Sequence, residues 1–451
     1  MNNCRLIIAI YLALTTSLVS DRARADSAAT TVVFDHVTVI DTRGGHSQED
    51  MTVTVANGHI KDVHKSSVNS WSPNVRVIDG RGKYLIPGLW DMEVHLSWTR
   101  ESALSVLVSN GVTEVRDLGS DPFEIERWKT QIAAGLIVGP HILQVGPMLN
   151  GKSFNRYQFA VTSPTETQTT VRLLKFMGVD GLEIERRFPR SSYFALLNEA
   201  TLAGLPVWGH IPIEVSPEEV SNAGQATIED VETLFYGTMA TGKTIEQQPQ
   251  VMQRFLESDQ PERLFRIFVR NHTAFTPAIA MLQWTVQRNS PGAPPDPQSR
   301  YVARSNRDAM TRHAVNEEDR LINREIPFLM QTVERMHKSG VMLLAGTDIA
   351  ADRVPGFSLL NEVEQLAELG LSPLEAIQTA TLNPAIALKK QSEFGSIEPG
   401  KVADLVLLNA DPLADIRNIE KISAVMIDGK VMDRRDLDLL LKHAESLAAV
   451  E

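Results

Sequence analysis

Cysteine is almost missing from this chain of 451 residues, and the single one, Cys4, lies in the N-terminal segment. A chain that has lost this segment would contain no thiol, disulfide or cysteine metal ligand. Basic residues are outnumbered, with 44 Lys and Arg against 56 Asp and Glu. The resulting net charge of -12 argues against a general binder of nucleic acid or anionic membrane, because both partners are polyanionic. Internal repeats and long low-complexity tracts are also missing.

The N-terminal segment has the pattern of a secretory signal peptide. An arginine precedes an apolar run over residues 6–18, and Ala-Arg-Ala at residues 23–25 offers a cleavage site. The run is too short to span a bilayer comfortably, and no later stretch reaches that length. We therefore predict a signal peptide over residues 1–25 and a periplasmic or secreted protein. Cleavage after Ser20 and an uncleaved anchor are the alternatives.

Short alternating apolar patterns at both ends of the remaining chain predict one small β-domain. Residues 31–87 read as short strands, with Asn57-Gly58 between two of them as a strong hairpin signal. Residues 389–435 return to this pattern, with a second hairpin around Asp428-Gly429. The two segments are expected to pair into a small β-sandwich. A C-terminal helix over residues 436–451 follows.

Between these ends, residues 88–388 alternate short apolar runs with segments of helix length. This alternation predicts βαβ units and a parallel sheet. Eight strand candidates are centred near Leu89, Val115, Leu143, Leu182, Val207, Ile228, Thr276 and Leu344. Eight such units in about 300 residues fit an α/β fold of the (β/α)8 TIM-type barrel kind. An open, doubly wound sheet is the alternative.

Several motifs, in order along the chain, resemble those of one enzyme family. Residues 77–92, VIDGRGKYLIPGLWDM, resemble the entry to the barrel in amidohydrolases of the imidazolonepropionase and prolidase-like type. The later motifs are GHIP at 209–212, AGTD at 345–348, LSPLEA at 371–376, ATLNPA at 380–385 and GSIEPGKVADLVL at 395–407. The resemblance runs from about residue 37 to residue 434. It implies the fold specifically, but it is only a starting point for the chemistry.

The resemblance also implies a metal site at the carboxyl ends of the barrel strands. In this family a His-x-His pair ends the first strand and a carboxylated lysine the fourth. Histidines end the fifth and sixth strands, and an aspartate ends the eighth. Together they hold one or two divalent metals, which lower the pKa of a bound water and polarise the scissile carbonyl. All eight strand ends point into one cavity at the same face of a barrel.

This chain matches the family at three of those six positions: His95, His210 and Asp348. The resemblance implies that all three are metal ligands. It further implies that Asp348 takes the proton of the attacking water as a general base.

The other three positions carry carboxylates instead. Glu93 replaces the first histidine of the pair, Glu183 replaces the lysine, and Asp230 replaces the sixth-strand histidine. No carbamate can form at Glu183. The expected metal site is therefore strongly rewritten, although a carboxylate on the fourth strand would still be able to ligate or bridge a metal.

Four carboxylates around one small cavity are costly without a counter-charge, and mutual repulsion would keep some of them protonated. A cation removes this conflict. Two imidazoles and up to four carboxylates would hold one or two divalent metals, and oxygen-rich ligation shifts the preference from zinc toward manganese, calcium or magnesium. The alternative is a metal-free barrel that has kept its fold for binding.

The strand register carries its own alternatives. Glu229 neighbours Asp230 and should point to the opposite side of its strand. A shift of one residue would place Glu229 where Asp230 is expected, and Glu185 is the corresponding alternative to Glu183.

The roles of several charged residues beside the strand ends also stay open. Arg116-Asp117 ends the second strand, where it would bind substrate, pair with the excess carboxylates or form a structural ion pair. Arg186, Arg187 and Arg190 follow the fourth strand. They would bind a substrate carboxylate or lie in solvent, and solvent is the favoured interpretation.

These features predict an exported, metal-dependent hydrolase that acts on a small-molecule amide such as a dipeptide, or on a cyclic amide or ester. We expect no binding to nucleic acid and no membrane-spanning segment after signal cleavage. A homo-oligomer is in keeping with the family. Two other functions stay open. One is a non-catalytic barrel that binds a small molecule or protein, and the other is a lyase or decarboxylase that uses the carboxylates as acid and base.

Overall fold

The computed structural model describes residues 31–67, 71–289, 296–312, 317–351 and 353–451 of an α/β protein. The predicted signal peptide at residues 1–25 lies outside the described residues. The strands are β1 Thr31–Asp41, β2 His46–Ala56, β3 His59–Lys65, β4 Val75–Asp79, β5 Tyr84–Pro87, β6 Leu89–Val94, β7 Val112–Asp117, β8 His141–Gln144, β9 Met148–Asn150, β10 Gln158–Ala160, β11 Leu182–Ile184, β12 Val207–Gly209, β13 Thr227–Glu229, β14 Ala274–Thr276, β15 Leu405–Leu408, β16 Ile422–Ile427 and β17 Lys430–Asp433. The helices are α1 Leu96–Thr99, α2 Ser102–Ser109, α3 Pro122–Ala133, α4 Pro164–Phe176, α5 Arg190–Ala203, α6 Pro217–Asn222, α7 Gln248–Leu256, α8 Gln260–Asn271, α9 Ile279–Asn289, α10 Arg304–Arg312, α11 Glu317–Lys338, α12 Phe357–Glu368, α13 Pro373–Thr379, α14 Leu382–Ala387 and α15 Arg434–Ala448.

The two ends of the described chain meet in one sheet, in the order β17-β16-β15-β5-β1-β2-β3, with β4 paired to β1. The junction is the antiparallel pair of β5 and β15. Both predicted hairpin turns are present, and positive φ at Asn57-Gly58 and at Asp428-Gly429 gives them the backbone twist of tight hairpins. The predicted pairing of the two ends is therefore found. The second layer of a sandwich and the domain boundaries at residues 87 and 389 stay predictions.

The middle of the chain contains parallel strands that alternate with helices, as the sequence pattern predicts. Among the described residues they form three hydrogen-bonded groups: β6-β7-β8, β10-β9-β11-β12 and β13-β14. Seven of the eight predicted centres lie in strands. The eighth, Leu344, does not, because its segment makes only isolated bridges at Leu343 and Ile349. The short strands β9 and β10 were not predicted, since runs of three residues are too short to show a period.

Single backbone hydrogen bonds connect these groups and the segment around Leu344. The bonds, each 2.8 or 2.9 Å long, run from Asp180 N to Gln144 O, from Ala226 N to Val207 O, from Leu344 N to Phe275 O and from Met92 N to Ala345 O. The eighth segment therefore lies between β14 and β6, the last and the first of the parallel strands.

Several helices begin at residues whose side chains satisfy free N–H groups. Ser216 and Glu219 form a capping box at the start of α6, and Asp433 with Asp436 does the same for α15. Helix α15 begins two residues earlier than predicted and packs Ala444 against Val106 of α2.

In the described part of the chain, no helix combines the length and the apolar character needed to cross a membrane.

Candidate active site

All six predicted site residues lie at the carboxyl ends of the parallel segments. Glu93 is the penultimate residue of β6, and Glu183 is the central residue of β11. Three others directly follow their strands: His95 follows β6, His210 follows β12 and Asp230 follows β13. Asp348 lies in the eighth segment, which is hydrogen-bonded to β14 and β6. The strand ends predicted from the motifs therefore coincide with those of the structure.

Close packing of the eighth segment against β6 brings Asp348 to this end. A Cβ atom on Gly346 would lie 2.4 Å from a methyl group of Thr276 and 2.9 Å from the backbone nitrogen of Glu93. Only glycine fits there. The next residue, Thr347, donates from its backbone and from its hydroxyl to the two oxygens of Asp91 in β6. These contacts fix the position from which Asp348 enters the site.

Asp348 contacts a cationic group through each of its oxygens. His95 Nε2 lies 2.9 Å from Asp348 Oδ1, and one terminal nitrogen of Arg353 lies 3.1 Å from Asp348 Oδ2. Glu93 is the third member of this group, since one ligand atom each from Glu93, His95 and Asp348 lie within 4.8 Å of one another. The three side chains are therefore spaced as ligands of one metal ion.

His210 lies between two acidic side chains on the other side of the site. Its Nδ1 is 3.8 Å from Asp230 Oδ2, and its Nε2 is 3.9 Å from Glu185 Oε2. Glu185 also accepts a hydrogen bond from Gln158. Glu183 is buried deeper in the strand and interacts electrostatically with His95. Both glutamates of the β11 segment therefore lie near the site, whereas the sequence analysis treated them as alternatives.

Two of these residues have unusual backbone conformations. Asp230 has a φ of 62° and Asp348 a φ of 44°. Non-glycine residues rarely adopt positive φ, and such conformations cost about 1–3 kcal/mol unless the surrounding structure enforces them. Strained residues of this kind cluster at functional sites, which adds a backbone argument for these two aspartates.

Burial raises the pKa of three site carboxyls. For Glu93 the charges of Asp230 and Asp348 add to the effect of burial. For Glu183 burial outweighs the opposing effect of His95, and for Asp230 burial and the charge of Glu232 act together. The metal-free site therefore keeps protons on part of its carboxyls, as the sequence analysis expects of crowded acidic groups.

His95 and Asp348 titrate in the opposite sense. Burial alone would lower the pKa of His95, but its contact with Asp348 raises the pKa to about 9. Burial alone would raise the pKa of Asp348, but the charge of Arg353 and the contact with His95 lower the pKa to about 2. In the metal-free protein these two residues form an imidazolium–carboxylate pair.

Five of the six predicted ligands have a buried polar atom without a hydrogen-bond partner among the described residues. These atoms are Glu93 Oε2, His95 Nδ1, Glu183 Oε2, His210 Nδ1 and Asp230 Oδ1. Unpaired buried polar atoms are rare, and each costs about 1–3 kcal/mol of stability. Carboxylate oxygens and imidazole nitrogens are ligands for manganese and zinc. The donor set of this site thus fits a divalent cation.

Arg116 forms a buried ion pair with Glu229, which is not one of the four clustered carboxylates. One of its terminal nitrogens lies 2.5 Å from Glu229 Oε1, and both side chains are almost fully buried. Arg116 also donates to the backbone oxygen of Met92 and stacks on Trp208. Of the interpretations left open for Arg116, the buried ion pair is the one observed. Glu229 also lies close enough to the site for its charge to raise the pKa of Glu93 and of Glu183, and its predicted orientation opposite to Asp230 stays a prediction.

The three arginines after β11 have different surroundings. Arg187 is exposed over the ring of Phe154, and Arg190 pairs with Glu219. Arg186 instead lies over the ring of Tyr236, close enough to the site to lower the pKa of Asp230. The favoured interpretation of all three as solvated is therefore wrong for Arg186. Neighbouring residues in a loop face different directions, and composition alone does not separate them.

Arg353 is the site residue that the sequence analysis missed. It lies five residues after Asp348 and is buried, although no family motif marks it. A usable signal was present in the charge balance, because four clustered carboxylates require a counter-charge. An arginine just beyond the eighth motif is one nearby source of that charge in the sequence.

Comparisons with known proteins agree with this geometry. The profile of the Amidohydrolase family matches residues 84–432. An adenine deaminase of Desulforamulus reducens is 24% identical over 375 residues, which cover 81% of this chain. The match spans only 52% of that deaminase, about half its length.

Solved structures share the fold. A bottromycin amidohydrolase superimposes with a TM-score of 0.76 at 20% identity, over 95% of this chain and 93% of that protein. A Xaa-Pro dipeptidase with bound methionine superimposes with a TM-score of 0.69 at 20% identity, over 89% of this chain and 100% of that protein. By its sequence profile and by its fold, this chain belongs to the amidohydrolase family.

Proposed function

We propose that the protein is a metal-dependent hydrolase that cleaves a C–N bond in a small molecule, such as a dipeptide, another amide or a cyclic amide, with a cyclic ester as a related substrate. The main support is a set of buried oxygen and nitrogen atoms that have no hydrogen-bond partner among the described residues. They belong to Glu93, His95, Glu183, His210 and Asp230. The described residues provide no hydrogen-bond partner for these atoms, and a bound cation would provide one coordination bond to each of its ligand atoms.

In this proposal the cation is held by Glu93, His95 and Asp348, with His210, Asp230 and Glu183 as further ligands. When bound, a divalent cation supplies a lowered pKa for water and polarises a substrate carbonyl. Asp348 is ionised at neutral pH and takes the proton of the attacking water. Arg353 and His95 hold Asp348 in place.

The names of the relatives support C–N cleavage as the reaction class. A deaminase removes an amino group and a dipeptidase cleaves a dipeptide, so each breaks a C–N bond. The positively charged Arg186 beside Asp230 adds a group that would bind the carboxylate of a dipeptide. This combination makes dipeptides the first compounds to screen.

Elemental analysis of the purified protein tests the proposal. Wild type is compared with Glu183→Gln and Asp348→Asn, and with Glu368→Gln on the exposed face of α12 as the matched control. Near-stoichiometric metal in wild type and control, reduced in both site variants, supports the proposal. Dipeptides, cyclic amides and lactones are then screened with that metal. No metal after incubation with manganese, zinc or calcium sinks the proposal.

A non-catalytic binding protein is the second candidate, and one observation favours it. Asp348, the proposed base, already has Arg353 and His95 as partners, and the neighbouring carboxyls hold protons. A site neutralised from within does not require a metal. Ligand binding without turnover would support this candidate. Product analysis would separate a lyase or decarboxylase from a hydrolase, because only hydrolysis adds water to the substrate.

Three further predictions belong to this proposal. The hydrogen bonds that link the eighth segment to β14 and β6 support closure of the parallel strands into an eight-unit TIM-type barrel. Export rests on the pattern in residues 1–25, and the N-terminal sequence of protein from the periplasmic or secreted fraction tests it. Light scattering on the purified chain tests the expectation of a homo-oligomer.

A further inference from the structure

A second cluster of ligand-type side chains lies at the opposite end of the parallel strands. Glu114 is near the start of β7, and His141 is the first residue of β8. Asp404 comes just before β15, and Asp428 is in the turn between β16 and β17. The cluster therefore joins the amino ends of two parallel strands to the eight-stranded sheet, far along the strands from Glu93 and Asp348.

The spacing in this cluster is that of metal ligands. One ligand atom each from Glu114, His141 and Asp404 lie within 4.8 Å of one another. His141 Nε2 lies 3.2 Å from Asp404 Oδ2 and 3.3 Å from Asp428 Oδ1. Neither contact has hydrogen-bonding geometry, so the His141 nitrogen has no hydrogen-bond partner in the described part of the protein.

Each buried carboxylate has one oxygen fixed and one oxygen unpaired. The hydroxyl of Thr113 donates to Glu114 Oε2, and the backbone nitrogen of Asp428 donates to Asp404 Oδ1. Glu114 Oε1 and Asp404 Oδ2 accept no backbone or hydroxyl hydrogen bond from the described residues, and the two carboxyls lie within hydrogen-bonding reach of each other. Glu114 is only 2% exposed to solvent and Asp404 only 4%. The fixed oxygens thus hold the unpaired oxygens in position for a ligand.

The charge of the cluster is not balanced by a basic side chain. Three carboxyls face one imidazole, and none of the described lysines or arginines forms an ion pair with Glu114, Asp404 or Asp428. Burial and the charges of Asp404 and Asp428 raise the pKa of Glu114. Either protons or a cation must therefore neutralise these groups.

We propose that Glu114, His141 and Asp404 form a second divalent-cation site, separate from the candidate active site, which fastens the eight-stranded sheet to the parallel strands. Two carboxylate oxygens and one imidazole nitrogen suit zinc or manganese better than calcium or magnesium, which prefer oxygen alone. The side chain of His141 is 40% exposed, which gives an ion a path from solvent. Asp428 provides a third carboxylate, which is exposed, at this opening.

The role of this site is structural, because it connects residues more than 250 positions apart in the chain. A cation that binds only the folded protein stabilises it according to its affinity and concentration. At a 100-fold excess over the dissociation constant, the unfolding midpoint of a chain of this size should rise by roughly 3 °C or more.

The test uses the full-length protein, stripped with EDTA and titrated with Zn²⁺. Bound zinc is counted by elemental analysis, and the unfolding midpoint is followed by calorimetry. The variants are Glu114→Gln and His141→Gln, and Asp230→Asn serves as the control that alters only the candidate active site. We expect Glu114→Gln and His141→Gln to bind one equivalent less than wild type and to lose the part of the zinc-dependent rise in midpoint that the cluster contributes. Asp230→Asn should keep that part of the rise.

Equal zinc content and an equal shift in wild type and both cluster variants would overturn the proposal. So would a wild-type protein whose midpoint does not respond to zinc, because protons would then neutralise the cluster. If Glu114→Gln does not fold, the half-exposed His141→Gln decides the question. Failure of the candidate active site to bind metal leaves this result unaffected, since the comparison is between variants.

Discussion

His95 Nε2 lies 2.9 Å from Asp348 Oδ1, while the other oxygen of Asp348 contacts Arg353 at 3.1 Å. The carboxylate that the family resemblance assigns to the proton transfer is thus held between two positive groups. A metal ion entering the site must compete with both of them. If the proposed metal binds, this competition should make Arg353 lower the affinity of the site for it.

Replacement of Arg353 by methionine should tighten cation binding. A positive charge about 5 Å from the ion, at an effective dielectric constant of about 20, repels a unit charge by roughly 3 kcal/mol. We expect the dissociation constant for Mn²⁺ to fall on the order of tenfold or more. Titration calorimetry measures it, with Arg187→Met as a control because Arg187 is exposed. Unchanged affinity in Arg353→Met would show that Arg353 does not compete with the metal.

Replacement of Asp348 by asparagine should abolish most turnover. The amide keeps the size of the side chain but cannot accept a proton, and a positioned general base contributes about 10²–10⁴-fold to a rate. The rate with the best substrate from the screen should fall by roughly that factor. The control is Asp415→Asn, an exposed carboxylate paired with Arg417. A variant with more than half the wild-type rate would remove Asp348 from the proton transfer.

Replacement of Glu229 by glutamine should destabilise the fold. Arg116 would keep its charge without a carboxylate partner, in a position where its side chain is 0% exposed. Breaking a buried pair in this way costs about 3–5 kcal/mol. Urea denaturation measures the loss, and the double variant Arg116→Met, Glu229→Gln should recover part of it. The exposed pair of Arg434 and Asp438 provides the contrast, because its loss should cost less than about 1 kcal/mol. Equal costs for the two pairs would contradict this prediction.

Sequence order predicted most of this site because motif positions map onto strand ends. The family resemblance assigned Glu93, His95 and Asp230 to strand ends, and the end of a barrel strand lies beside the cavity. Arg353 could not be placed in this way. It reaches Asp348 only through the path of the loop after the eighth segment, and a loop path depends on packing that no local pattern encodes.

The same distinction explains the one strand that was wrongly assigned. The apolar residues around Leu344 predict a strand by composition, and their backbone does hydrogen-bond to both neighbours. Regular pairing is limited to Leu343 and Ile349, because Gly346 and the positive φ of Asp348 bend the segment toward β6. Requirements of the site thus override the strand pattern where the two coincide.

Replacement of Asp230 by histidine should shift the metal preference of the site toward zinc. An added imidazole next to His210 exchanges an oxygen ligand for a nitrogen ligand, and nitrogen ligands suit zinc better than manganese. The Asp230→His variant and wild type are incubated with equal concentrations of zinc and manganese. By elemental analysis, the ratio of bound zinc to bound manganese should be several-fold higher in the variant. The exposed change Asp415→His controls for a surface histidine. An unchanged ratio would place Asp230 outside the ligand set.

Replacement of Glu362 by glutamine should make stability less dependent on pH. Glu362 is fully buried in α12 and accepts a hydrogen bond from the backbone of Ala280, yet burial raises its pKa from 4.5 to about 8. Between these two values the folded protein binds more protons than the unfolded chain, so the free energy of unfolding falls as the pH rises from about 4.5 to about 8.

Glutamine does not titrate, and its amide oxygen can still accept the bond from Ala280. Relative to wild type, Glu362→Gln should therefore gain stability as the pH rises, by roughly 1 kcal/mol or more between pH 5 and pH 8.5. Urea denaturation at the two pH values measures this change, and Glu368→Gln on the same helix is the exposed control. If the difference between Glu362→Gln and wild type is the same at both pH values, Glu362 is ionised in the folded protein throughout this range, and burial does not keep it protonated.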